Sequence, residues 1–149
     1  MHNIDSVHSL EKALHDLIPI SQAMGISVVH YDGTLLRLKA PLSNNINHQQ
    51  TAFGGSLFSI AALSGWGLIQ LKLAELNIQA NTVIAGGNVS YSKPVSKDLI
   101  CECRLESSYQ SFVTRLQTTG KASLILQPEI ILADENAMSF SGKFVVKQL

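Results

Sequence analysis

Between Asn45 and Ser56 the chain gathers the residues best suited to chemistry: Asn45, Asn47, His48 and Thr51 in a polar run, then Phe53-Gly54-Gly55-Ser56. The glycine pair falls where this run gives way to an apolar segment from Leu57 to about Leu76, which lacks proline and reads as a helix. The first N–H groups of a helix have no intrahelical acceptor, and the helix dipole adds partial positive charge at that end. Donors so placed stabilise a carbonyl oxygen as it becomes an oxyanion. Glycine allows a substrate to come within hydrogen-bonding distance of the main chain. The same dipeptide also serves as a tight entry to a crowded helix, so both uses stand open on spacing alone.

The elements that must hold this segment follow from periodicity. Val7, Leu10, Leu14, Leu17 and Ile18 form one stripe of a helix from about Asp5 to Ile18, with Asp5 or Ser6 as cap and Pro19 as stop. Strands Ile26–Tyr31 and Thr34–Ala40 flank Asp32-Gly33, a tight-turn dipeptide. After the long helix, Thr82–Ser92 reads as a strand, and Gly86-Gly87 within it marks a bulge or a close backbone approach. Leu99, Cys101, Cys103 and Leu105 alternate with Ile100, Glu102, Arg104 and Glu106 as a half-buried strand. Tyr109, Phe112, Val113 and Leu116 change the period to that of a short helix between Ser108 and Gly120. Lys121–Ala133 and Ala137–Lys147 close the chain as a strand pair around Asp134-Glu135-Asn136. Two groups of strands separated by one apolar helix imply an α+β fold, an antiparallel sheet curled around that helix. Gly65 and Gly67 would be tolerated there if something packs against the helix backbone.

Composition bounds the partners. The 149 residues fit a single domain, 1–149, and 46% apolar against 15% charged residues predict much buried or interface surface. Eleven basic and eleven acidic residues leave no net field to draw the chain onto nucleic acid or anionic lipid. Thr51–Leu71 carries no charge and is long enough to span a bilayer, but its serines, glycines and missing basic flanks favour a helix buried within protein. Cys101 and Cys103 lie too close along one strand to bridge comfortably, which predicts buried thiols in a reducing, cytoplasmic setting. The N-terminus has no basic start followed by an apolar run, so no signal peptide is expected. His8, His15, Glu11 and Asp16 lack a metal-binding spacing, and no phosphate-cradling loop occurs, so neither metal nor cofactor is expected.

Asn47-His48-Gln49-Gln50-Thr51-Ala52-Phe53-Gly54-Gly55 resembles the signature of hot-dog thioesterases: Asn, two residues, Gly-Thr, one residue, His-Gly-Gly, then a long helix. Asn47, Thr51, Gly54 and Gly55 match, while Gln50 and Phe53 replace the glycine and the histidine. The wider string from Pro41 to Leu57, with Trp66-Gly67 and Ser92-Lys93-Pro94-Val95, is similar to a thioesterase subfamily whose domains occur alone or fused behind an acetyltransferase domain. The resemblance implies a hot-dog fold, pairing into a homodimer or homotetramer, and a site between subunits for an acyl-CoA or acyl-carrier-protein thioester. It implies that the Gly55 N–H, with that of Ser56, polarises the thioester carbonyl and that Asn47 orients water or carbonyl. Many hydrolytic relatives place a carboxylate seven residues after the second glycine, where this chain has Ala62. His48 could then serve as general base, since imidazole titrates near neutrality. Asn45, Thr51, Phe53, Gly54 and Ser59 complete the expected substrate contacts, with Asn88, Ser90 or Tyr91 reaching across from a partner subunit.

Plainer roles compete at each position. The asparagines could serve the loop's own turns, Thr51 could cap the helix, Phe53 could pack, and Ser59 and Ser64 could bond back to their own helix. The leading expectation is an acyl-thioester hydrolase. The alternative, prompted by Ala62, is a non-hydrolytic acyl-thioester binding module that assists a partner acyltransferase, and a dehydratase on the same scaffold is a third.

Overall fold

The computed structural model describes residues 4–149. The first apolar stripe forms helix α1 (Ile4–Leu17), and Asp5 and Ser6 lie inside its first turn rather than capping it. Pro19 ends α1 but also opens a short helix, α2 (Pro19–Ala23), because a missing N–H is harmless at a first helical position. The hairpin is β1 (Ser27–Tyr31) with β2 (Leu35–Ala40). Its turn is centred one residue later than expected. The Asp32 carboxylate accepts N–H bonds from Thr34 and Leu35, and these bonds hold its pKa well below the usual carboxylate range.

The long helix α3 spans Gly54–Glu75 and is followed by β3 (Ala80–Tyr91), β4 (Leu99–Arg104), α4 (Tyr109–Thr119), β5 (Lys121–Leu126), β6 (Glu129–Leu132) and β7 (Glu135–Gln148). Gly120, in the left-handed region at φ 78°, ends α4 as its position predicted. The expected strand Lys121–Ala133 is two strands. Gln127-Pro128 interrupts the ladder because proline has no N–H to give, although Leu126 opposite Gly142 and Glu129 opposite Ser139 keep one register along β7. The final turn is at Ala133-Asp134, both at positive φ, and not at Asp134-Glu135-Asn136.

All seven strands form one antiparallel sheet ordered β1-β2-β4-β6-β7-β3, with β5 continuing beside β7. The sheet curls around α3, which buries Leu57, Ile60, Leu68, Ile69 and Leu73 against it. By length and composition α3 could cross a membrane, but most of it is covered by the protein itself. Gly65 and Gly67 mark close approaches: a Cβ on either would meet Phe144 or the Leu10 and Leu36 side chains. Gly86-Gly87 follow the predicted bulge in β3. Cys101 and Cys103 are free, buried on one face of β4, and burial pushes the Cys101 thiol up to about 12.

The two edges of the sheet differ. On the β1 edge, α1 supplies Glu11 to the Val28 N–H at 2.8 Å and His15 to the Ile26 carbonyl at 2.8 Å. The β3 edge has no such cover among the described residues, contains no charged residue, and exposes Val83, Ile84 and Tyr91.

Candidate active site

The loop before α3 is built by its own side chains. Asn45 is buried, and its amide donates to the carbonyls of Met24 and Pro41 at 2.9 and 2.8 Å, while its backbone carbonyl accepts the Phe53 N–H at 2.7 Å. The Asn47 carboxamide oxygen accepts from the N–H groups of Gln49 and Thr51, and its amide donates to the Thr51 hydroxyl at 3.0 Å. Both asparagines thus close turns, and Thr51 is tied to Asn47 rather than capping α3. Gln50, at the glycine position of the signature, has φ 65°. The backbone there keeps the left-handed conformation that glycine adopts without strain. His48 stands exposed at the tip of this loop.

Phe53 is the N-cap residue of α3 and its carbonyl accepts the N–H groups of both Ser56 and Leu57. The Ser56 donor is therefore occupied. The N–H groups of Gly54 and Gly55 meet no acceptor among the described residues. The Phe53 ring lies over Gly55, where any Cβ would collide with it, yet the ring is 57% exposed. A cavity of about 240 Å³ opens beside Gly54, lined also by Ala52, Leu57, Tyr91, Lys93 and Pro94. The helix start is flanked by an aromatic ring on one side and a cavity on the other, and it is not sealed.

Tyr91, expected to reach across from a partner subunit, meets the head of α3 within its own chain. Its own chain brings its hydroxyl to the Gly54 carbonyl at 2.9 Å, because β3 ends beside the start of α3. The Gly54 carbonyl and the Gly55 N–H belong to one peptide plane, so this bond fixes the direction of the N–H. It also polarises the amide, as linked hydrogen bonds do.

The other expected residues separate from this point. Ser59 donates to the Gly55 carbonyl at 2.8 Å and Ser64 to that of Ala61 at 2.8 Å, each bonding back to its own helix. Asn88 and Ser90 pair in register with Ser141 and Ser139 on the outer face of the sheet, opposite to α3, where they line a different cavity. Ala62 lies on a half-exposed stripe of α3 with Gly55, Ser59, Trp66 and Gln70 that the chain's own sheet leaves partly open. No cluster of metal-ligating side chains occurs among the described residues.

The family described as putative thioesterase (yiiD_Cterm) matches residues 7–148. A protein of unknown function from Chlorobaculum tepidum TLS is 33% identical, with 99% of this chain and 98% of that one covered at a TM-score of 0.92. A putative thioesterase from Shewanella oneidensis is 29% identical over 95% and 96% of the two chains, TM-score 0.86. A probable thioesterase from Pseudomonas aeruginosa, 19% identical over 95% of each chain at a TM-score of 0.82, shares the fold. With its seven-stranded antiparallel sheet wrapped on one long helix, the chain is a hot-dog protein and belongs to this thioesterase family.

Proposed function

We propose that the protein hydrolyses acyl thioesters carried on coenzyme A or on a carrier protein, with the Gly54 and Gly55 N–H groups as the oxyanion hole. The observation that carries this reading is that both donors lack a partner among the described residues at the head of a 22-residue helix, where Gly54 lines a cavity. Water adds to the thioester carbon, and the carbonyl oxygen takes the negative charge towards the Gly55 N–H. His48 accepts the proton of the attacking water, and the C–S bond then breaks as the imidazolium returns that proton to the leaving thiolate, giving a carboxylic acid and a thiol. General-base catalysis contributes about 10²–10⁴-fold, so with Ala62 in the place of an acid the rate depends on His48 and the backbone donors together.

Two copies pairing along β3 would complete the site. That edge is bare and uncharged, where the β1 edge is covered by α1, and unpaired edges of this kind invite strand addition. The half-exposed stripe of α3 beneath it would then face the partner and line an acyl channel.

Purified protein is tested with short, medium and aryl acyl-CoAs and with acyl-carrier-protein thioesters, following thiol release. Turnover is expected with at least one thioester and is expected to fall at least about tenfold in Gly55→Ala, whose Cβ displaces the Phe53 ring from the donor. Absence of turnover with every thioester would refute hydrolysis.

A further inference from the structure

The chain is neutral as a whole, but its charges are segregated. Residues 107–128 and 136–149 contain Arg115, Lys121, Lys143 and Lys147 and no aspartate or glutamate, and β3 contains no charge of either sign. The fold brings these segments together. Lys121 on β5 sits directly opposite Lys147 on β7, both exposed on the outer face of the sheet. Lys143 lies on the same face four residues before Lys147, and Arg115 of α4 overhangs the groove that Lys121, Ser123 and Lys143 line. That groove, of about 540 Å³, runs into a second one along the hydroxyl-rich face of α4 through Arg115, Thr119 and Ser123.

Elsewhere the cations are largely matched: Lys12, Arg37, Lys39, Lys72 and Lys93 each pair with a carboxylate. None of the four on this face has an ion pair among the described residues. Like charges directly opposite on neighbouring strands destabilise a sheet, so the Lys121–Lys147 pair costs stability that the fold itself does not recover. Exposed apolar side chains flank the cations, Ile125 beside Lys143 on β5 and Val83 on β3 beside the half-buried Val145.

We infer that this outer face of β5 and β7, flanked by α4, docks an acidic amphipathic helix of a partner protein. Lys121 and Lys147 are direct cross-strand neighbours, but from Lys143 to Lys147 the cations spread over roughly 13 Å at the rise of a strand, farther than a single phosphate reaches. Carboxylates two turns apart on a helix, about 11 Å, match that spread, and apolar residues beside them would cover Ile125 and Val83. A nucleic-acid strand would find no aromatic residue exposed here for its bases. A second copy would set the same four cations against each other. The inference does not depend on the thioester reading, because the face lies on the opposite side of the sheet from α3.

The isotope-labelled full-length protein is titrated with a synthetic helical peptide carrying glutamates on one face and leucines beside them. Parallel titrations use a scrambled peptide of the same composition, a heparin oligosaccharide and phosphatidylserine vesicles. Amide shifts are expected at Lys121, Ser123, Lys143 and Val145, weakened by salt and at least about tenfold weaker in Lys121→Glu/Lys143→Glu. The double variant's thermal unfolding is followed in parallel, and a second variant, Lys121→Gln, is expected to keep the fold with a raised Tm as the lysine pair is relieved. Shifts confined to other surfaces, equal binding by the scrambled peptide, tighter binding of heparin or vesicles, dimerisation through this face, or a lowered Tm in Lys121→Gln would each overturn it.

Discussion

The Phe144 ring of β7 lies directly against Gly65 of α3, so close that the smallest side chain at residue 65 would overlap it. This contact sets how tightly the sheet closes on its helix, and therefore how β7 and its neighbour β3 bring Tyr91 to the head of α3. A glycine that weakens an isolated helix here permits the packing that stabilises the folded one.

Gly65→Ala is expected to cost about 1–3 kcal/mol, the usual cost of overpacking a close-packed core. Phe144 is almost fully buried, and a Cβ on Gly65 would overlap its ring. Urea denaturation measures the loss, and Phe144→Leu added to Gly65→Ala should recover part of it. A neutral Gly65→Ala would show that the interface yields.

Gln50→Gly is expected to stabilise the protein by about 1 kcal/mol, because a non-glycine residue at positive φ carries strain that glycine does not. The loss of unfolded-state restriction works against this gain and sets its upper bound. A shift of the denaturation midpoint to higher urea at unchanged slope is the expected result.

Tyr91→Phe removes one hydroxyl from a half-exposed ring and leaves the packing in place. One hydrogen bond of about 0.5–1.5 kcal/mol translates into a fall in kcat of about two- to twelvefold, with KM little changed. The carbonyl stretch of a ¹³C-labelled Gly54 should rise in frequency in the same variant, a signal that needs no turnover. An unmoved band would show that the hydroxyl does not act on this peptide.

Alkaline stability should follow the buried thiols. Burial raises the Cys101 pKa from 9.0 to about 12 and that of Cys103 in the same direction, so folding favours their protonated forms. The stabilisation is complete below 9.0, where the unfolded thiol keeps its proton, and is lost as pH rises towards about 12. Denaturation midpoints should decline across that window, less steeply in Cys101→Ala/Cys103→Ala. Neither thiol should react with iodoacetamide at pH 8 until the protein unfolds.

Sequence alone determined whatever depends on near neighbours along the chain. The apolar, proline-free run after Gly54-Gly55 read as a helix buried within protein, the position of Gly120 marked the end of α4, and alternation put both cysteines on one face of β4. The match around Asn47 and Gly55 indicated the family because those residues build the loop and helix entry that the fold requires.

Tertiary structure decided what depends on register and side-chain direction. Asn47 is spent on Thr51, the Ser56 N–H is taken by Phe53, and Asn88 and Ser90 face away from α3. None of these could be read from spacing, because a strand position points to either face until its partner fixes the register. Tyr91 reached Gly54, and four cations scattered along a neutral sequence came together on one face, for the same reason. Residue types set which interactions were possible, and the long-range pairing of β7 with β3 and β5 selected among them.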